Sequence, residues 1–129
     1  AIAAIANGGK LVDPSLVKDS PPTGETLAVS PDNLEVVREG MRLGATEGTS
    51  VGLNDMSFVQ PAGKTGTAQT GVHNEYYNSW AVGFWPYNDP KYVYVVMMEH
   101  GPAGNSLGGI YAMHQVFEEL HQTAPEYFQ

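Results

Sequence analysis

Lys64, Thr65, Gly66 and Thr67 stand together in "AGKTGTAQTG", residues 62–71 of a 129-residue chain. On an edge strand these types can hold an anionic substrate. The lysine ammonium supplies a fixed positive potential, the glycine lets a ligand approach the backbone, and threonine hydroxyls hydrogen-bond a carboxylate. The backbone amide after the glycine can donate to a developing oxyanion, usually the largest electrostatic contribution to acyl transfer. The letters "GKT" also end a phosphate loop, but that pattern needs a glycine five residues before Gly63. Phe58 occupies that position and Pro61 lies inside the would-be loop, so the nucleotide reading fails.

Other stretches imitate catalytic patterns less well. "SLVK", Ser15 to Lys18, spells serine-x-x-lysine, where one helical turn would place the amine beside the hydroxyl as its base. Pro14 puts it in an extended stretch, where side chains three apart point to opposite faces, so the match is a coincidence. Tyr76 to Asn78 imitates a tyrosine-x-asparagine proton relay but is expected in a loop between strands, as a substrate rim at most. His114 and His121 are seven residues apart beside an apolar stripe, without the i, i+4 spacing of helical zinc ligands. They read as helix-flank or core-edge histidines, and no metal is expected.

Positioning these groups falls to a few elements. "AIAAIANGG" reads as the end of a helix stopped by Asn7, Gly8 and Gly9, an expected cut edge. "KLVDPSLVKD" is extended and "SPPTGET" a loop. In "SPDNLEVVREGMRLGATEG", Ser30 caps, Pro31 takes the first helical position, and Leu34, Val37 and Met41 share a face, with Glu35, Arg38, Glu39 and Arg42 on a solvated one. Gly40 is a candidate for close packing and Gly44 for the helix stop. "AGKTGTAQ", "SWAVGFWPY" and "KYVYVVMMEHG" are three strands joined by short links, which predicts an antiparallel meander. The last of them is apolar on both faces, as expected of a strand covered on both sides, although the two long helices here are not expected to cover both. Ile110, Met113, Phe117 and Leu120 predict a closing helix, with Asn105 or Ser106 as its cap and Pro125 beyond its end.

Fourteen acidic against six basic residues give a net charge of −8, which argues against nucleic acid or an anionic membrane surface as main partner. There is no cysteine, and no apolar run approaches the roughly 20 residues that span a bilayer.

Taken in order, "AAIANGGKLVDPSLVKD", a helix leading to "EGTS", "AGKTGTAQ", "SWAVGFWPYNDPKYVYVVMMEHG" and a closing helix resemble the C-terminal part of the transpeptidase domain of a class B penicillin-binding protein. The resemblance implies an α/β fold of the α+β type, an antiparallel sheet flanked by helices, β-lactamase- and transpeptidase-like, here incomplete over residues 1–129, with three of five strands. It implies acyl transfer through a serine activated by a lysine one turn later, attacking a D-Ala-D-Ala stem peptide of peptidoglycan or a β-lactam. Lys64 would order the proton-transfer network, Thr65 and Thr67 bind the terminal carboxylate, the Thr67 amide donate to the oxyanion, and Gly66 leave room. No cofactor is implied. The nucleophile and serine-x-asparagine motifs precede this segment in the family and are absent here, so the remaining part of the domain is an expected partner and the segment alone is expected to be inactive. By resemblance the location is the outer face of the bacterial cytoplasmic membrane. A serine β-lactamase or β-lactam sensor domain, and a non-catalytic scaffolding module of a wall-synthesis complex, are the alternatives.

Overall fold

The computed structural model describes residues 1–104 and 107–129. In chain order it has α1 (Ile2–Ala6), β1 (Lys10–Val12), β2 (Gly24–Thr26), α2 (Pro31–Thr46), a 3-10 turn (Val51–Leu53), β3 (Ala62–Thr70), β4 (Tyr76–Trp85), β5 (Tyr92–Pro102), α3 (Gly109–Thr123) and a last 3-10 turn (Pro125–Phe128). β3, β4 and β5 form the expected antiparallel meander in that order, so β3 is an edge strand. The extended segment is more ordered than its sequence suggests, because β1 pairs antiparallel with β2 in a small exposed hairpin.

The helix ends follow from local chemistry. At α1 the Gly9 amide returns to the Ala4 carbonyl at 2.7 Å, with Gly8 and Gly9 at φ 81° and 103°, the left-handed region that closes a helix. Ser30 caps α2 by accepting from the Asn33 amide at 3.3 Å. α2 does not stop at Gly44 but runs on to Thr46. A Cβ at Gly44 would stand 2.7 Å from the Gly63 carbonyl oxygen, so this glycine serves close approach of helix to strand, the role expected of Gly40. At Gly40 an added Cβ meets nothing within 4 Å. The capping residues expected for α3, Asn105 and Ser106, lie outside the described residues.

Each face of the sheet has its own core. One face carries Ala81, Trp85 and Tyr94, covered by Met113 and Phe117 of α3 and by Leu53, Met56 and Val59. Trp85 lies 5.0 Å from Phe117 in an edge-on contact, and its indole N–H donates to the Tyr127 carbonyl at 3.1 Å, so the chain beyond Pro125 folds back as a lid on the aromatic cluster. Tyr94 is buried with its hydroxyl 3.4 Å from the Ala62 carbonyl, and loss of water raises its pKa above the usual tyrosine value. The other face is smaller: Ala62 and Phe84 pack on Ala6 and Met41. It does not extend over β5. Val93, Val95 and Met97 remain 46 %, 59 % and 41 % exposed, so the described residues leave this face of the strand largely open, in line with only two long helices being available to cover the sheet.

Two arginines of α2 leave the solvated face assigned to them. The Arg38 guanidinium donates to the carbonyls of Ala6 at 3.3 Å and Tyr87 at 3.1 Å, and Arg42 Nη1 donates to Asn54 Oδ1 at 3.0 Å and the Pro61 carbonyl at 2.6 Å. Long stems let both cover apolar surface while their planar heads reach carbonyls that the loops leave unpaired. Val37, by contrast, is 45 % exposed, and Leu34, Met41 and Ala45 form the buried stripe. Arg42→Ala removes the donor that fixes the start of β3. A stability loss of about 1.5–3 kcal/mol is expected, read as a lower urea midpoint at unchanged slope. A midpoint equal to that of the parent would mean these two bonds contribute nothing net.

Candidate active site

Alternation along β3 sends Lys64 to one side of the sheet and Thr65 and Thr67 to the other. Lys64 borders a groove of about 350 Å³ whose walls are Ile5, Val37, Met41, Gly63 and Val82. Its Nζ donates to the Thr65 carbonyl. A cation against apolar walls keeps more of its field than one in open water, which makes this a local positive site on a chain of net charge −8. Thr65 and Thr67 border a second groove of about 660 Å³, with Thr49, Ser79, Tyr111 and His114 around them. Thr49 touches both grooves. A ligand lying along the open edge of β3 therefore meets an ammonium on one side and hydroxyls on the other.

The surroundings of β3 hold this geometry. Gly44 seats α2 against Gly63, and Arg42 anchors Pro61. Immediately after α2 the chain turns back, the Ser50 amide bonding the Gly44 carbonyl at 2.9 Å, and this turn brings Thr49 Oγ1 within 2.7 Å of Thr65 Oγ1. Across the sheet Thr67 pairs with Ser79, whose hydroxyl accepts from the Gly109 amide at 3.0 Å at the start of α3. A Cβ at Gly109 would meet the Ala81 nitrogen at 2.7 Å, so only glycine lets the helix start sit this close to β4. Gly66 differs. A Cβ there makes ordinary contact with the Trp80 Cβ at 3.6 Å, so folding leaves room for a side chain, and the glycine keeps the strand surface open instead.

Thr49 and Ser79 are the polar neighbours of Thr65 and Thr67 that sequence reasoning does not single out. Each is an unremarked hydroxyl residue within a longer matching stretch, "EGTS" and "SWAVGF", and only the turn after α2 and the β3–β4 register place them beside the threonines. Of the remaining look-alike motifs, Ser15–Lys18 and His121 stay apart from the site, while His114 borders the groove of Thr65 and Thr67 and Tyr77 lines a smaller pocket with Thr67 and Ser79. The Ser15 hydroxyl accepts from the Val17 amide at 3.1 Å in an exposed, non-helical turn, with no bond to Lys18 among its described contacts. Tyr76 to Asn78 belong to β4 rather than to a loop, and Asn78 Oδ1 accepts the His100 amide at 3.0 Å where the β4–β5 register slips. His114 lies 3.6 Å from Glu118, and His121 stacks on Phe58 at 3.9 Å.

A family model for the penicillin binding protein transpeptidase domain matches residues 1–122. A probable peptidoglycan D,D-transpeptidase, PbpC of Pseudomonas aeruginosa, is 30% identical over 114 residues, which are 85% of this chain and 20% of that protein. The chain thus spans about a fifth of the length of this curated relative. Among solved structures, penicillin-binding protein 2B of Streptococcus pneumoniae is similar in fold with a TM-score of 0.78 at 21% identity, covering 96% of this chain and 24% of that one. The D,D-transpeptidase domain of a peptidoglycan glycosyltransferase from Eggerthella lenta is 26% identical with a TM-score of 0.72, covering 94% and 30%. The transpeptidase domain of Burkholderia pseudomallei penicillin-binding protein 3 gives 26% and 0.69, covering 94% and 40%. Residues 1–122, which include the lysine-threonine-glycine strand and most of the helix packed across its sheet, place this chain in the family of penicillin-binding protein transpeptidase domains.

Proposed function

We propose that residues 1–129 form the C-terminal portion of a peptidoglycan D,D-transpeptidase domain and supply the substrate-binding wall of its active site. One observation carries the reading: β3 is a free edge with Lys64 on one side and Thr65 and Thr67 on the other. A stem peptide ending in D-Ala-D-Ala lies along that edge, its terminal carboxylate on the two threonine hydroxyls and the penultimate carbonyl oxygen facing the Thr67 amide. A serine supplied by residues outside these 129 attacks the carbonyl carbon, the bond to the terminal D-alanine breaks, and that amine leaves carrying a proton. An amine of a second stem peptide then attacks the acyl-serine, forming the cross-link and returning the proton to the serine oxygen. Lys64 supplies positive potential to the proton-transfer network throughout, and a β-lactam acylates the same serine. The enzyme works in the bacterial cell envelope, at the outer face of the cytoplasmic membrane; among the described residues no helix is long and apolar enough to cross it.

Labelling with a fluorescent penicillin tests this. The full-length protein should form a covalent adduct stable to denaturing electrophoresis, and the 129-residue chain alone should form none. Labelling of the short chain, lost on replacing Ser15, would place the nucleophile inside it and overturn the reading.

A further inference from the structure

The geometry points to Thr49 as a positioning residue that holds the Thr65 hydroxyl with its proton aimed at the substrate carboxylate. The inference builds on the carboxylate role proposed for Thr65. A hydroxyl has one proton and two lone pairs, while a carboxylate only accepts. The 2.7 Å bond between Thr49 Oγ1 and Thr65 Oγ1 can run in either direction in the free protein. Once an anion sits on Thr65, one direction remains: Thr49 donates to Thr65, and Thr65 donates to the carboxylate. The two bonds then polarise each other, and the far end is charged, which makes each of them stronger than an isolated neutral pair.

The frame behind Thr49 is built for constancy. Its turn is tied to α2 through the Ser50 amide on the Gly44 carbonyl at 2.9 Å and the Val51 amide on the Gly48 carbonyl at 3.2 Å. A Cβ at Gly48 would stand 2.9 Å from the Gly44 Cα, so the turn closes tightly on the helix. Gly44 in turn abuts the Gly63 carbonyl, in the same strand as Thr65. Helix, turn and strand thus fix the spacing between the two hydroxyls without any contact to the ligand. Thr67, whose cross-strand partner is Ser79, has its own arrangement, and the relay concerns Thr65 alone.

The test uses the full-length protein and two probes: a penicillin with its free carboxylate, and the methyl ester of the same penicillin. Thr49→Val should lower the second-order acylation constant for the free acid by about tenfold, mostly in apparent affinity rather than limiting rate, and leave the ester's already slow reaction unchanged. Thr49→Ser should restore the parent value. In a Thr65→Val background, Thr49→Val should have no further effect, because the relay is already cut. Equal losses with acid and ester would mark Thr49 as merely structural and overturn the inference. So would full activity of Thr49→Val beside a clear loss in Thr65→Val. Where the valine variant fails to fold, comparing Thr49→Ala with Thr49→Ser decides: equal losses overturn the relay, and a loss confined to alanine supports it. An unchanged acylation constant in Thr65→Val alone would defeat the carboxylate role itself, a result distinct from failure at Thr49.

Discussion

Lys64→Ala in the full-length protein should lower the second-order rate of acylation by a penicillin about 10²–10³-fold, while leaving the unfolding midpoint close to that of the parent. Both halves of the expectation follow from where the lysine sits. Its side chain is exposed, it borders a groove walled by apolar groups, and its one described bond goes to the carbonyl of the next residue. Folding therefore loses little when it is removed, whereas the positive potential on that side of the strand vanishes. Stopped-flow acylation paired with thermal unfolding separates the two. A variant that acylates within a factor of about three of the parent would show that Lys64 does not serve the reacting groups. A variant that loses rate and folding together would make it a structural residue.

Phe117→Ala carries the largest expected cost in stability. Phe117 is fully buried, edge-on to Trp85 at 5.0 Å and to Tyr94 at 5.8 Å, and it joins α3 to the sheet. Truncation leaves a void bounded by rigid rings that cannot collapse into it, so a loss of about 3–5 kcal/mol is expected. The effect should reach the site indirectly, since α3 begins at Gly109, whose amide is held by Ser79 opposite Thr67. Denaturant unfolding followed by near-ultraviolet circular dichroism measures it. A loss below about 1 kcal/mol would show that the cluster repacks around alanine.

Much of this was legible from residue pattern because it depends on local rules. Ser30 and Pro31 start α2, Gly8 and Gly9 end α1, and three apolar runs with short links become the meander. The edge position of β3 and the opposite facing of Lys64 and Thr65 follow from strand order and period. What escaped is decided by tertiary distance. Gly44 and Gly40 are equivalent to any propensity scale, and only the approach of Gly63 tells them apart. Arg38 and Arg42 sit on the charged side of a helical wheel, yet their stems cross to carbonyls far along the chain. How far α1 and α2 cover the second face is set by no strand pattern: they reach Ala62 and Phe84 but leave Val93, Val95 and Met97 of β5 half exposed. Thr49 has no pattern of its own, because its meaning lies in a turn that a sequence window does not show.

The two tryptophans, finally, divide the molecule between them. Trp85 is 6 % exposed within the aromatic cluster, while Trp80 is 37 % exposed with its Cβ beside Gly66 on the open strand. The chain thus carries two intrinsic fluorophores in unlike surroundings: Trp85 is expected to emit to the blue and to register the integrity of the interior, and Trp80 to emit further to the red and to respond to whatever comes to rest along β3.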